Sequence, residues 1–583
     1  MADKPLPMES LCRRLKKRHA NMKNERSSYE THWQELQDHF CPRSGRWIRG
    51  DKMTAGQRGQ KRHQKVINGT PLFAANTLAA GMTSGNTSPA RPWFRLTTPD
   101  PQLAEIGAVK QWLYAVESRT REILSRSNFY RVMPTAYRDL GVFGTTCLLA
   151  LEDDEDVVRF EHLELGSYWL AQSSRKRIDV CYREFQMTVR QLVQEFGFEA
   201  CSERVQNMAR NGQWETWIDV CHAIEPNDDA AAGITYGVQM PVRSVYWESS
   251  SQQDKTLRES GFESSPLLGV RWSTAGEEVY GSSPAMDCLG DAKALQLKEL
   301  RKAEAIDKVV NPPLIAPTSL RNQKVSLLPG DITYVDSQQS QAGLKPIHDW
   351  RPDLNALRED ILASEELIKR AMYVDLFLMM QNDDRSNITA REIQERHEEK
   401  LLMLGPVVER VNDELLDPVI DRVFDIMVRR SRPYWEGKLN GEPLLPEPPE
   451  ELAGIDLKVE FISVLAQAQK AVGLSAMDNL FGFVASLAQM NPGVLDKVDM
   501  DQAIDERAEM LGVSPRIIVS DDKVAEMRDA KAQQAAQAQA VQQSMAMADM
   551  AGKLGGASTG PDTALGRALD LAGAGAPAGG GLA

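Results

Sequence analysis

Seven apolar residues, Leu289, Ala292, Leu295, Leu300, Ala303, Ile306 and Val310, fall on one side of a helical wheel, and the run stops at Asn311-Pro312-Pro313. A helix over 285–310 follows, because a second proline both removes a backbone donor and blocks the next turn. Such a helix must bury one long face, which rules out an all-β chain. Lys298, Arg301 and Lys308 gather on the opposite side. They could touch phosphate, although a solvated or salt-bridged face is the commoner use of such a cluster. The segment 314–350 is strand-like and punctuated by proline, and a second helical stretch runs from about Asp353 to Tyr373.

The chain before Pro284 has a different character. Leu11, Leu15, Met22, Tyr29, Trp33 and Leu36 keep helical spacing over 8–40; a basic, glycine-containing loop spans 45–65; and small residues predict a helix over 70–83. Two amphipathic helical stretches occupy 105–140. Residues 145–165 read as a hairpin turning at Asp153-Asp154-Glu155-Asp156, 178–187 as a strand, Val189–Phe196 as a helix and 214–280 as β-rich. Toward the other end come an apolar-then-polar loop at 376–387, a long helix, a Pro/Glu-rich connector and helices over about 462–512. An Ala/Gln/Met-rich stretch of weak helical character (523–550) and a Gly/Ala-rich tail expected to be disordered follow. At roughly 150 residues per domain, 583 residues allow about four lobes. The formal net charge of −14 argues against a protein built for tight phosphate binding. Seven cysteines without C-x-x-C spacing predict free thiols in a reducing compartment. The first residues carry no apolar stretch of a secretory signal, and no apolar run reaches the roughly 18 residues of a membrane span.

The strongest catalytic suggestion is the stretch DDRSNITAREIQERHEEK (383–400), part of the way into the zinc-protease pattern H-E-x-x-H. A zinc helix needs a second histidine four residues after the first. That position is Leu401, and His397 stands alone on an apolar stripe with Ile393, Leu404, Val408, Val411 and Leu415. Thr389 and Glu392 form a capping box and Ile388 and Ile393 a hydrophobic staple, so the segment is a helix start. Pro406 and Pro418 should each kink that helix. Gly45–Lys52 falls short of a P-loop: Asp51 intrudes and the hydroxyl residue is missing. Ser84 lacks the spacing of a nucleophile elbow. The acidic run at 152–156 lacks the alternation of a calcium loop and reads as a solvated hairpin tip. No catalytic residue, metal ligand set or cofactor site survives. The residues describe a large, helix-rich, non-catalytic protein with a β-containing part.

Six stretches in order resemble the head-to-tail connector, or portal, proteins of short-tailed bacteriophages: FAANTLAAGMTSGNTSPARPWFRL (73–96), DLGVFGTTCLLALEDD (139–154), VCYREFQMTVRQLVQEFG (180–197), RWSTAGEEVYGSSPAMDCLGDAKALQ (271–296), ITAREIQERHEEKLLMLGPVVERVNDELLDPVIDRVF (388–424) and VEFISVLAQAQKA (459–471). Ser282 departs from the pattern, which has arginine there. The resemblance covers about 10–525. It implies a mainly α fold with β hairpins (α+β), ring-forming, usually with twelve subunits, sited at one vertex of the capsid and assembled in the host cytoplasm, without stable membrane insertion. Double-stranded DNA would pass through the channel in both packaging and ejection, without sequence preference. The terminase large subunit and then tail or adaptor proteins would dock on it. Major capsid, scaffolding and internal core proteins would be further neighbours. The ring itself would hydrolyse nothing and need no cofactor.

On that pattern the wing is 1–283, the first stem helix 284–309, the clip 310–352, the second stem helix 353–374 and the tunnel loop 375–388. A long kinked helix and wing return take 389–461, crown helices 462–520 and a tail 521–583. Expected site residues are Lys298, Arg301 and Lys308 facing DNA from the stem. Met379, Met380, Gln381, Asn382, Asp383, Asp384 and Arg385 belong to the tunnel loop, Arg321, Lys324 and Lys345 to the clip, and Thr389 and Glu392 to the structural cap. The rival readings are another phage structural protein, such as a tail adaptor, and a hydrolase using His397 or Ser84.

Overall fold

The computed structural model describes residues 10–44, 64–310 apart from 101–102, 104–105, 231–236 and 252–253, the pairs 314–315 and 345–346, residues 353–381, residues 404–463 apart from 440 and 453–456, and scattered positions between 480 and 539. The chain divides into two compact units, Met1–Leu495 and Asp496–Ala583. In the second, the described residues are helical at 502–504 and over most of 526–537, where every described side chain is exposed.

The first unit begins with a 30-residue helix, α1 (Leu11–Phe40), started by Ser10, whose hydroxyl accepts the Arg13 amide. A helix of small residues, α2 (Thr70–Asn86), leads to a short strand, β1 (Phe94–Thr97), and then to α3 (Gly107–Arg126) and α4 (Phe129–Phe143). Gly144 ends α4 in the left-handed conformation. Next come β2 (Thr145–Asp153), β3 (Val157–Leu163), β4 (Tyr168–Gln172) and β5 (Ile178–Thr188). Two eight-residue helices, α5 (Val189–Phe196) and α6 (Glu203–Arg210), precede β6 (Trp217–Pro226), β7 (Val242–Glu248), β8 (Arg258–Phe262) and β9 (Leu267–Arg271).

Two antiparallel sheets result, a five-stranded meander β4-β5-β6-β7-β8 and a three-stranded sheet β3-β2-β9. α1 lies against the meander. His19 is enclosed by the rings of Trp169, Tyr182 and Trp247, and the Arg26 guanidinium sits 4.2 Å from the centre of Trp169. Burial, reinforced by Lys23 and Arg26, holds the His19 imidazole down at about 3.

A one-turn helix, α7 (Pro284–Asp287), and the helix α8 (Leu289–Val310) follow. Ser283 opens the turn: its hydroxyl accepts the Met286 amide and donates to the Val142 carbonyl. Beyond α8 the pair β10 (Leu314–Ile315) and β11 (Lys345–Pro346) is antiparallel. α9 (Leu354–Ala371) starts on Asp353, whose carboxylate accepts the Asn355 and Ala356 amides. α10 (Val374–Gln381) follows after Tyr373, which takes a φ of 57°. The last long helix, α11, runs through 404–411, a π-helical turn at Asn412–Leu416, and Asp417–Trp435. The chain then returns to β12 (Lys458–Phe461), which pairs antiparallel with β1, setting Phe94 against Phe461.

One apolar core joins these pieces. It includes Trp33 and Phe40 of α1, Leu78 of α2, Tyr137 and Leu140 of α4, Leu148 of β2, Phe377 of α10 and Val411, Leu415 and Val423 of α11. Small residues let the helices close: a Cβ at Gly141 would press into Leu78, and one at Gly81 would overlap the Phe377 ring. Gly144 and Gly281 bring two backbones together, so a side chain on either would strike the other's carbonyl.

Two sequence expectations change, and two further segments, the solvated acidic hairpin tip and the connector, carry contacts that the pattern did not show. Residues 376–387 do not begin as a loop, because Val374–Gln381 is helical, with Leu376 and Phe377 buried in the core. Gly81 leaves the notch that the Phe377 ring fills. The expected apolar stripe of α8 is only half covered: Leu289, Ala292 and Leu295 are buried, whereas Leu300, Ala303, Ile306 and Val310 are exposed in the chain. Past Leu295, Lys298 ties α8 to Asp360 and Ser364 of α9, and Ala305 is the next buried apolar residue. The acidic tip at 152–156 is ion-paired, with Arg430 on Glu152 at 3.0 Å and on the Asp153 carbonyl, and Arg429 on Glu152 and Glu263. The Pro/Glu-rich connector packs as well: Trp112, Arg119 and Trp435 donate to the carbonyls of Pro446, Leu444 and Leu445.

Candidate functional site

The helical pair α8–α9 concentrates the residues singled out for function. Its base is fixed from outside. The Gln296 carboxamide oxygen accepts the amides of Ile67 and Asn68 at 2.6 and 2.8 Å, and its nitrogen donates to the Asn68 carbonyl. The Asn68 side chain donates to Glu299 on α8 and Glu365 on α9. One asparagine at the foot of α2 therefore clamps both helices. No sequence pattern announced this knot, since Asn68 is roughly 230 to 300 residues from its partners on α8 and α9.

Lys298 lies between the two helices. Its ammonium donates to Asp360 at 2.8 Å and to Ser364 at 2.9 Å. The pair is partly exposed and worth at most about 1 kcal/mol, but it fixes register. Lys298 is thus a bridge between helices, whereas Arg301 and Lys308 are exposed. Leu297 and Leu300 on α8, and Leu362 and Leu367 on α9, also stand in solvent, at 53%, 43%, 51% and 50%. A helical hairpin with leucines on its outer sides has more apolar surface than one chain covers.

The hairpin's far end is β10–β11, where Lys345 pairs in register with Ile315. Arg321 and Lys324 lie outside the described residues. Of the tunnel-loop residues, Met379, Met380 and Gln381 belong to α10, and Asn382, Asp383, Asp384 and Arg385 lie outside the described residues, as do Thr389, Glu392 and His397. The continuation of the stripe from His397 is buried at Leu404, Val408, Val411 and Leu415.

Behind the hairpin the π-helical turn of α11 meets β9. Pro418 has no amide to give the preceding turn, and the Asp417 amide bonds back to the Asn412 carbonyl. The wider turn carries Glu414 onto Arg271, which reaches it at 2.7 Å and also donates to Gln172 and the Lys176 carbonyl. Arg271 opens the RW motif, so that motif's arginine is a structural tie. Arg422, also buried, donates to the carbonyls of Ala150 and Ser264, and burial, with Arg429 nearby, brings its guanidinium down to about 10.

The other reactive residue types are packed away. All seven cysteines are buried free thiols, and burial pushes Cys201 up to about 11 and Cys221 and Cys288 to about 12. The Ser84 hydroxyl donates to the Gly81 carbonyl of its own helix. Among the described residues no group of three or more His, Cys, Asp and Glu could hold a metal ion, and no helix is long and apolar enough to cross a membrane.

Residues 13–519 match the model of the family described as bacteriophage head to tail connecting protein. The portal protein of Salmonella phage epsilon15 is 47% identical over 562 residues, covering 96% of this chain and 98% of that protein. A probable portal protein of Bordetella phage BPP-1 is 43% identical over 554 residues, covering 94% and 96%. Among solved structures, a chain from the neck of an empty gene transfer agent particle computed with C6 symmetry overlaps at a TM-score of 0.31 and 11% identity, over 77% of this chain and 91% of that one. A chain from the virion of a native gene transfer agent particle gives 0.29 and 11%, over 76% and 99%. With a family match across most of its length and two relatives of near-equal extent, the chain belongs to the bacteriophage head to tail connecting proteins.

Proposed function

We propose that this protein is the portal subunit of a phage virion: copies close into a ring at one capsid vertex, and double-stranded DNA enters and leaves through its channel. It is a structural protein and not an enzyme. The observation that carries the reading is the near full-length identity to a portal protein. The hairpin α8–α9 supports it physically, because its outward leucines need neighbours and a ring supplies one on each side.

In this reading α8 and α9 are the stem, and the insert holding β10–β11, with Arg321, Lys324 and Lys345, is the clip that meets the terminase large subunit and later tail proteins. Residues 1–283 and the return through α11 form the wing, facing capsid and scaffolding proteins. The segment beyond Gln381 borders the tunnel. The −14 charge suits a channel that must not grip DNA. Lys298 is neutralised by Asp360 and adds little to a phosphate contact, which removes it from the stem cations expected to face DNA.

Negative-stain microscopy and native mass spectrometry of the purified full chain test the proposal. The expected result is a closed ring, of twelve copies on the family pattern, with a central channel wide enough for a duplex. A chain that remains monomeric at micromolar concentration would overturn it.

A further inference from the structure

We infer that the outer side of α8 docks on the outer side of α9 of a second copy of this chain, and that Arg301 pairs there with Glu359. The inference rests on the ring proposed above and names the contact that closes it. Within one chain, Lys298 on Asp360 and Ser364, and Asn68 on Glu299 and Glu365, set the antiparallel register of the two helices. Three residues further along α8 is Arg301. The matching step back along α9 reaches Glu359.

Both side chains are exposed, and among the described residues neither makes an ion pair within the chain. The level thus carries a cation on α8 and an anion on α9. Such charge complementarity selects a register between two surfaces and opposes a shifted one. The apolar part matches too. Leu297 and Leu300 on α8 lie level with Leu362 on α9, and all three are about half exposed. In the hairpin the inward sides, through Lys298, Ala305, Ile361, Ser364 and Ile368, are already used. The outward sides of α8 and α9 are different surfaces, so docking one on the other is head-to-tail and repeats from copy to copy, which is what a closed ring needs. Arg301 then serves the subunit contact and is not a free cation for the channel.

A charge swap on the full chain tests this. Arg301→Glu and Glu359→Arg each place like charges together and should lower the ring fraction roughly tenfold in native mass spectrometry at low salt. The double variant, Arg301→Glu with Glu359→Arg, should recover it. Single variants that form rings as the wild type does, or a double variant that stays as weak as the singles, overturn the pairing while leaving the portal reading intact. A wild-type chain that forms no ring overturns the portal reading itself, and this contact with it.

Discussion

His19 shows how a single residue can carry a pH dependence without any catalytic task. Enclosed by Trp169, Tyr182 and Trp247, its imidazole titrates near 3 because burial, and then Lys23 and Arg26, disfavour the cation. The unfolded chain takes up that proton at about pH 6.5, so the unfolded state binds more protons throughout the interval below it. Stability from this group is therefore complete above about pH 6.5 and is lost progressively as the pH falls toward 3. Replacing His19→Phe keeps a ring in the cage and removes the titration. Between pH 7 and pH 4 the wild type should lose on the order of 3 kcal/mol relative to the variant, read as the change in the difference of their urea unfolding free energies. Equal losses in both proteins would show that His19 is not the group responsible. The sequence placed an apolar face on α1 but not His19 within it, since the rings that enclose it come from strands roughly 150 to 230 residues later.

At the scale of elements, proline signals were readable and their outcome was not. Pro418 announced a kink in α11, yet only the three-dimensional setting shows that the kink is a π-helical turn and that it delivers Glu414 to Arg271. Removing one partner of so buried a pair leaves an uncompensated charge. Glu414→Leu should cost about 3–5 kcal/mol, seen as a lower denaturant midpoint, whereas pairing it with Arg271→Met should restore much of the loss. A single variant as stable as the wild type would mean that Arg271 is satisfied by Gln172 and the Lys176 carbonyl alone. The misread elements have a common cause. Helical periodicity in α8 marks which side is apolar, but not whether its cover comes from the same chain. Apolar character in Leu376–Met380 marks burial, but a loop and a short helix bury such a run equally well. The small residues of α2 marked a helix. That Gly81 receives Phe377 could be learned only from the fold.

For the whole molecule, the order of six motifs was enough to reach the family, and two of the motifs hold packing constraints of the fold: the Gly144–Gly281 approach, the Arg271 tie and the Ser283 cap. The sheets, the helices and the α+β class were legible from pattern. The Asn68 clamp and the level charges of α8 and α9 were not, because they depend on how distant segments meet. The division into two compact units carries its own expectation. A chain ended after Leu495 should keep the main thermal transition of the full chain within about 2–4 °C, since a domain with its own core folds alone. A fall well beyond that, or loss of the cooperative transition, would show that the two units are one folding body.

The β1–β12 pair bears on the order of events during synthesis. Phe94 meets Phe461, and Trp93 stacks on both Phe129 and Phe461, so strands separated by roughly 360 residues of chain complete one patch of core. At about 5–20 residues per second a ribosome needs roughly 20–70 seconds to cross that interval. Throughout that time Trp93 and Phe94 are without their last cover, however well the sheets between them have formed. A nascent chain therefore lacks a complete core until nearly four-fifths of it has been made.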